Sequence, residues 1–175
     1  MNKSIPQKPT LHVATINDYP AVQNMARFYV YDRTQYMGWE CPETGLFECM
    51  DFKHYFEEPE KQAFLVRVNN ELAGFVLLDK LKLIEKVDWN MGEFFILAKF
   101  QSIGMGSQVA REIFSRFPGK WSVAVMPENS GAVKFWRKII SEVSLGQFNE
   151  VSKTAEELIT PDNPDPYAMI VFSFN

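Results

Sequence analysis

The chain has 175 residues, 46% of them hydrophobic and fifteen of them Phe, with a formal net charge of −4. That length suits one domain with a large buried core, and the acidic balance excludes the basic surface that general nucleic-acid binding needs. A cationic partner fits the charge better.

The first ten residues lack the apolar core of a signal peptide, and no apolar run is long enough to span a bilayer. A soluble, cytoplasmic protein without membrane association is the expectation. Residues 11–16 alternate as a first strand. Asp18 is placed to cap the helix that follows, and Pro20 is tolerated in its first turn. Val22, Met25, Ala26, Tyr29 and Val30 recur at helical spacing, so the helix should run to about Tyr36, ahead of Gly38. The stretch 38–50 is irregular and holds both cysteines, Cys41 and Cys49. Two thiols indicate neither a disulfide framework nor a metal site, and no Cys/His spacing of the metal-binding type occurs. Asp51 is placed to cap a short helix that ends at Pro59.

Two apolar stretches, 63–68 and 72–78, flank Asn69-Asn70-Glu71. Asparagine tolerates the left-handed conformation, so these make a hairpin. Residues 87–98 form a third consecutive strand, in which Gly92 marks a bulge or a close ligand approach. At Gly104 the period changes. Met105, Val109, Ala110, Ile113, Phe114 and Phe117 share one helical face, and Pro118-Gly119 ends the helix. A strand at 121–126 and a helix at about 130–140 come next, then two strands near 143–148 and 167–174. The segment 149–166 between them reads as a loop or partly helical insert. Strand, helix and strand over 93–126 form one βαβ unit, parallel in the sheet, after an antiparallel meander.

The turn Gln101-Ser102-Ile103-Gly104-Met105-Gly106 carries the most information. It joins an apolar strand to the N-terminus of an amphipathic helix. Backbone N–H groups and the positive end of the helix dipole converge there, which suits a phosphate or pyrophosphate. Glycine permits the close backbone approach. Gly104-Met105-Gly106-Ser107-Gln108-Val109 also partly copies a dinucleotide fingerprint. However, Val109 replaces the third glycine, and the unit follows a meander.

This order and these motifs resemble the GNAT superfamily of N-acetyltransferases over most of the chain. The 101–106 turn is similar to that family's pyrophosphate loop for coenzyme A. Asn129-Ser130-Gly131-Ala132-Val133-Lys134-Phe135-Trp136-Arg137-Lys138 resembles its second cofactor segment. The stretch from Glu93 to Trp121 is also similar to a group of bacterial predicted acetyltransferases. The resemblance implies an α/β (α+β) fold over 1–175, with a mixed sheet of about seven strands and about four flanking helices. It implies acetyl-CoA as co-substrate, no metal, an amine acceptor on a small molecule or peptide, and a homodimer as one oligomeric state. It places Phe94, Phe95 and Ile96 beside the pantetheine arm, with Gln101, Ser102, Ile103, Gly104, Met105, Gly106, Asn129 and Trp136 as further cofactor contacts. Asn129 also fits a helix cap.

Direct transfer needs an acceptor amine stripped of a proton, and Glu93, ahead of Phe94, is the catalytic candidate. Asp88 and Glu85 are rivals further up the strand. An ordinary solvated strand charge is the plain alternative for Glu93. A bulge near Phe94–Ile96 would free a backbone N–H for the carbonyl oxygen. Trp136 stands where the family often has the Tyr that protonates the departing thiolate. That substitution keeps open a non-catalytic acyl-CoA sensor or interaction module. Tyr29, Tyr31, Tyr36 and Tyr55 are candidate edges of the acceptor pocket, His54 and His12 read as surface and structural residues, and Arg33, Glu40, Glu43 and Asp51 as solvated charges. Ile139-Ile140-Ser141-Glu142 replaces the family's usual Gly-Phe turn.

Overall fold

In the computed structural model, residues 8–83, 86–161 and 163–175 are described. Seven strands form one sheet in the order β1-β2-β3-β4-β5-β7-β6: β1 Pro9–Val13, β2 Gln62–Val68, β3 Glu71–Asp79, β4 Trp89–Ile96, β5 Trp121–Val125, β6 Phe148–Lys153 and β7 Met169–Phe174. Four helices flank it: α1 Tyr19–Met37, α2 His54–Glu57, α3 Met105–Arg116 and α4 Ser130–Val143. The expected meander is β2-β3-β4, antiparallel throughout, and β4 pairs parallel with β5 across α3. Asn69 and Asn70 both take positive φ, at 51° and 67°, as a tight hairpin requires. Among the described residues no helix is long and apolar enough to cross a membrane.

Alternation along the central strands sends side chains to two faces, each covered by helices. Phe64, Val66, Val76, Leu78, Met91 and Ile96 pack with α3 and α4; Leu65, Phe75, Leu77 and Phe95 pack with α1 and α2. Covering both faces explains the unbroken apolar runs of β2 and β3. Each fully buried Val, Leu or Phe contributes roughly 1.5–3 kcal/mol through burial.

Three expectations need correction. The first strand spans Pro9–Val13, and Ile16–Asp18 instead forms a 3₁₀ turn. Asp18 does not cap α1 through its side chain; its carboxylate turns back to accept from the Thr15 N–H at 2.9 Å and hydroxyl at 3.1 Å. The third correction lies at the far end of α4. The strand expected near 143–148 is displaced to Phe148–Lys153, inside the segment read as a loop or insert. Val143 extends the apolar face of Val133, Trp136, Ile139 and Ile140 by one more turn, so the helix continues through it. A Schellman motif ends the helix: the Gly146 N–H donates to the Ser141 carbonyl at 2.8 Å. β6 then pairs with β7, which lies between it and β5.

In that motif the left-handed position falls on Leu145, at φ 53°, where glycine is usual. Leu145 is 87% exposed, so its side chain gains little from packing. Leu145→Gly should therefore stabilise the protein by about 1 kcal/mol, a rise in melting temperature of roughly 2–4 °C. A calorimetric scan checks this.

Candidate functional site

The β4–β5 ladder holds only three residue pairs, Trp89 with Trp121, Asn90 with Ser122 and Met91 with Val123. Beyond Met91, β4 stays paired with β3, through Glu93, Phe94, Phe95 and Ile96. The two central strands therefore part toward their C-terminal ends. The Leu97 N–H donates to Ala73 on β3 at 2.8 Å. Since N–H directions alternate along a strand, those of Phe94 and Ile96 point the other way, into the opening.

The anticipated bulge is present at Gly92. Leu77 pairs with Glu93 and Leu78 with Met91, so Gly92 is the extra residue. It does not lie at Phe94–Ile96, which follow a regular register with β3. A Cβ on Gly92 would overlap the Tyr55 hydroxyl and stand 2.6 Å from Asp79 Oδ2. Close approach of side chains is what demands glycine there.

Those side chains belong to a buried polar chain that crosses the sheet. The Tyr55 hydroxyl donates to Asp79 Oδ2, Asn90 Nδ2 donates to Asp79 Oδ1 at 2.9 Å, and Ser122 Oγ donates to Asn90 Oδ1 at 2.7 Å. The Leu81 N–H adds a third donor to Asp79, at 2.8 Å. Asp79 is only 7% exposed and needs these partners. Burial and then the neighbouring Asp79 carboxylate push the Tyr55 phenol far up, so it serves as a donor.

Glu93 lies next to this chain, on the α1/α2 face opposite Leu77. Burial pushes its carboxyl up to about 7, against the pull of Arg33 and Tyr29, which favour the carboxylate; Asp79 adds a smaller upward push. Tyr29 is itself driven upward by burial and by Glu93, and its ring lies 5.7 Å from that of Phe95. Of the rivals, Asp88 sits at the paired end of β4, accepting from the Lys120 N–H at 2.7 Å, and Glu85 falls outside the described residues.

The glycine-rich turn lies where the opening meets α3. Ser102 and Gly104 both take positive φ, 60° and 85°, a backbone form in which successive N–H groups can turn to one side of a turn. Gly104 is the N-cap of α3, and the first helical bond to it comes from the Gln108 N–H at 3.2 Å. The N–H groups of Met105, Gly106 and Ser107 precede that bond and form the free first turn. Ile103 is exposed on the turn, whereas the Met105 side chain is buried in the core. Gln101 bends back, its Nε2 donating to the Ile96 carbonyl at 2.6 Å, and fastens the turn to the end of β4.

Asn129 caps α4, its Oδ1 accepting from the Ala132 N–H at 3.0 Å. That leaves its amide nitrogen for another partner. Trp136 is 6% exposed, with ring centroids 5.0 Å from Phe94 and 4.9 Å from Phe135. Phe135 also borders Gly106, at 3.6 Å from the position of a Cβ. His54 stacks on Tyr55, and Tyr31 is exposed beside Phe47.

Arg33 is not the solvated charge its sequence context suggests. Its guanidinium lies 5.3 Å from the Tyr29 ring centroid and 5.7 Å from that of Trp39, and Nη2 donates to Met126 Sδ at 3.1 Å. Its Nε is buried without a hydrogen-bond partner. The helical spacing 22, 26, 29, 33 put Arg33 on the inner face of α1 and was the available sequence clue. Asp79, Asn90 and Ser122 carried no comparable clue, because only strand pairing brings them together. Among the described residues no group of three or more His, Cys, Asp or Glu could hold a metal ion.

Gly92→Ala should drive the new methyl into the Tyr55–Asp79 bond and destabilise the fold by about 1–3 kcal/mol. Denaturant unfolding measures it, and a neutral result would show that α2 gives way freely.

Residues 25–140 match the sequence model of the acetyltransferase (GNAT) family. No curated protein matches the sequence. Among solved structures, the chain is similar to an acetyltransferase from Thermus thermophilus, at 16% identity and TM-score 0.63, covering 95% of this chain and 96% of that one. A spermidine N-acetyltransferase from Vibrio cholerae, in complex with CoA and spermine, matches at 16% identity and TM-score 0.62 over 95% of both chains. The ribosomal-protein-S18-alanine N-acetyltransferase from Escherichia coli matches at 13% and 0.58, over 95% of this chain and 92% of that one.

Proposed function

Because this chain belongs to the GNAT acetyltransferase family, we propose that it transfers an acetyl group from acetyl-CoA directly to a primary amine. The observation that carries this reading is the parting of β4 from β5 after Met91, which opens toward the turn at the head of α3. The fit to the co-substrate rests on the same features. The turn 101–104 and the free first turn of α3 would hold the pyrophosphate. Phe94, Phe95 and Ile96 line the strand along which the pantetheine arm would run, Asn129 Nδ2 would contact that arm, and Trp136 would back it through Phe94. The Phe94 N–H would donate to the thioester oxygen as it gains negative charge.

Glu93 is the base in this scheme. An alkyl ammonium has a pKa near roughly 10, so at neutral pH it must lose a proton before it can attack. Glu93 takes that proton, directly or through water. The amine nitrogen then bonds to the carbonyl carbon as the carbon–sulfur bond breaks, and the second proton from nitrogen ends on the departing sulfur. A carboxyl held at about 7 suits proton uptake near neutrality. Trp136 offers no useful acid, but a thiol pKa of about 8.5 makes the thiolate a fair leaving group. Burial of Trp136 as an aromatic core residue also supports a second reading, an acyl-CoA-binding module without turnover. Acetyl-CoA consumption against an amine panel separates the two.

Gly104→Val should cost stability about 1–3 kcal/mol through its positive φ and weaken CoA binding by about ten-fold or more. Isothermal titration on the folded variant, with circular dichroism as control, tests this. CoA binding as tight as the parent's would place the pyrophosphate elsewhere.

Glu93→Gln should lower kcat/KM by about ten-fold or more at pH 7, with the loss shrinking as pH rises and free amine becomes abundant. Stability should change in the opposite sense. A raised carboxyl favours the protonated fold, so the parent loses stability as pH climbs from 4.5 to about 7, and Gln abolishes that loss. Parent and variant should therefore differ more in melting temperature at pH 8 than at pH 4.5, the variant gaining. Identical activity profiles from pH 6 to 9 would reduce Glu93 to a strand charge.

A further inference from the structure

We propose that the acceptor carries a carboxylate a few bonds from its amine, as a free amino acid does, and that Arg33 receives it. This rests on the acetyl-transfer reading above and names the acceptor class for that site. Arg33 reaches from α1 across the mouth of the parted strands. Its Nη2 touches Met126, just past the end of β5, and its charge is felt by Glu93 on β4. The guanidinium lies against Tyr29, whose ring is 5.7 Å from that of Phe95, two residues past Glu93 on the same face of β4, so it sits on the α1/α2 face, away from the turn on the α3 side.

The surroundings of Arg33 leave its hydrogen-bonding capacity largely unused. A guanidinium has five N–H donors in a rigid fork that matches a carboxylate bidentately. Here one of them meets a thioether sulfur, a weak acceptor, and Nε is buried with no partner. Glu93 stands outside ion-pair distance, and none of the paired carboxylates of the described residues lies against Arg33. Tyr29 and Trp39 contact the guanidinium through their rings, which fix its plane without supplying an acceptor. Tyr167 packs against Trp39, ring centroids 6.0 Å apart.

A zwitterion satisfies both charged residues at once. Its ammonium faces Glu93 and its carboxylate faces Arg33. A polyamine offers Arg33 only positive charge, which repels it at close range. The local charge thus reverses the preference for a cationic acceptor that the net charge of −4 suggests.

The experiment measures acetyl-CoA turnover with the parent, Arg33→Gln and Arg33→Lys. The acceptors are the twenty L-amino acids, their carboxamides, and spermidine. In the parent, at least one amino acid should exceed its own carboxamide in kcat/KM by about ten-fold or more. Arg33→Gln should abolish that ratio, chiefly by raising KM for the amino acid more than for its carboxamide. Arg33→Lys should restore part of it, keeping the charge without the fork. Titration with CoA and a thermal melt on each variant report whether the fold and cofactor site are intact. Equal or faster turnover of carboxamides or spermidine by the parent overturns the inference and leaves acetyl transfer standing. So does an equal loss on both acceptor sets in Arg33→Gln, which would mark a structural role. Turnover of no amino acid despite normal CoA binding also overturns it. Failure of the parent to bind CoA removes the reading beneath it.

Discussion

The separation of β4 from β5 is the constraint on which the site depends. A parallel pair normally continues as long as both strands remain extended, because each added residue brings its backbone groups into the ladder. Here pairing stops after Met91 and Val123. The neighbouring pair, β3 with β4, absorbs an extra residue at Gly92 at the same level, and a bulge bends its strand and increases the local twist. Bulge and separation thus occur together. Beyond this point the N–H groups of Phe94 and Ile96 are turned away from β3, toward the side where β5 has parted.

The bulge is itself held by side chains that are distant in sequence. Tyr55 from α2, Asp79 from β3, Asn90 from β4 and Ser122 from β5 share one buried set of hydrogen bonds directly over Gly92. Removing any member leaves another polar group buried without a partner, which costs more than the bond itself contributes. The network therefore acts as a clasp at the closed end of the opening. It also sets the environment of Glu93, since Asp79 supplies negative charge beside a carboxyl already raised by burial.

The two faces of the sheet divide the work. On one, α3 presents its free N-terminus above Ile96, and α4 brings Phe135 and Trp136 against Phe94. On the other, α1 brings Tyr29 and Arg33 to Glu93. A strand residue and its successor point to opposite faces, so Glu93 and Phe94 belong to different compartments although they are adjacent in the chain. The break in the sheet, after Met91 and Val123, lies between the two faces.

Local and near-local patterns were legible in the sequence. The Asn69-Asn70 hairpin, the strand–turn–helix at 93–117, the parallel unit it belongs to and the position of the bulge glycine all follow from spacing and residue type. Each depends on interactions within a few residues or on a topological rule. The boundary errors arose where long-range packing decides. Val143 stays helical because the α3/α4 core extends to it, and Phe148–Lys153 is a strand because β7 pairs with it, although its own residues are mostly exposed. Glu93 was visible as an acid beside an apolar strand; its raised affinity for a proton was not, because Tyr29, Arg33 and Asp79 reach it only through folding. Arg33 shows the difference most plainly. In the sequence it is one of many charges, and only the packing of α1 brings its guanidinium against Tyr29, Trp39 and Met126.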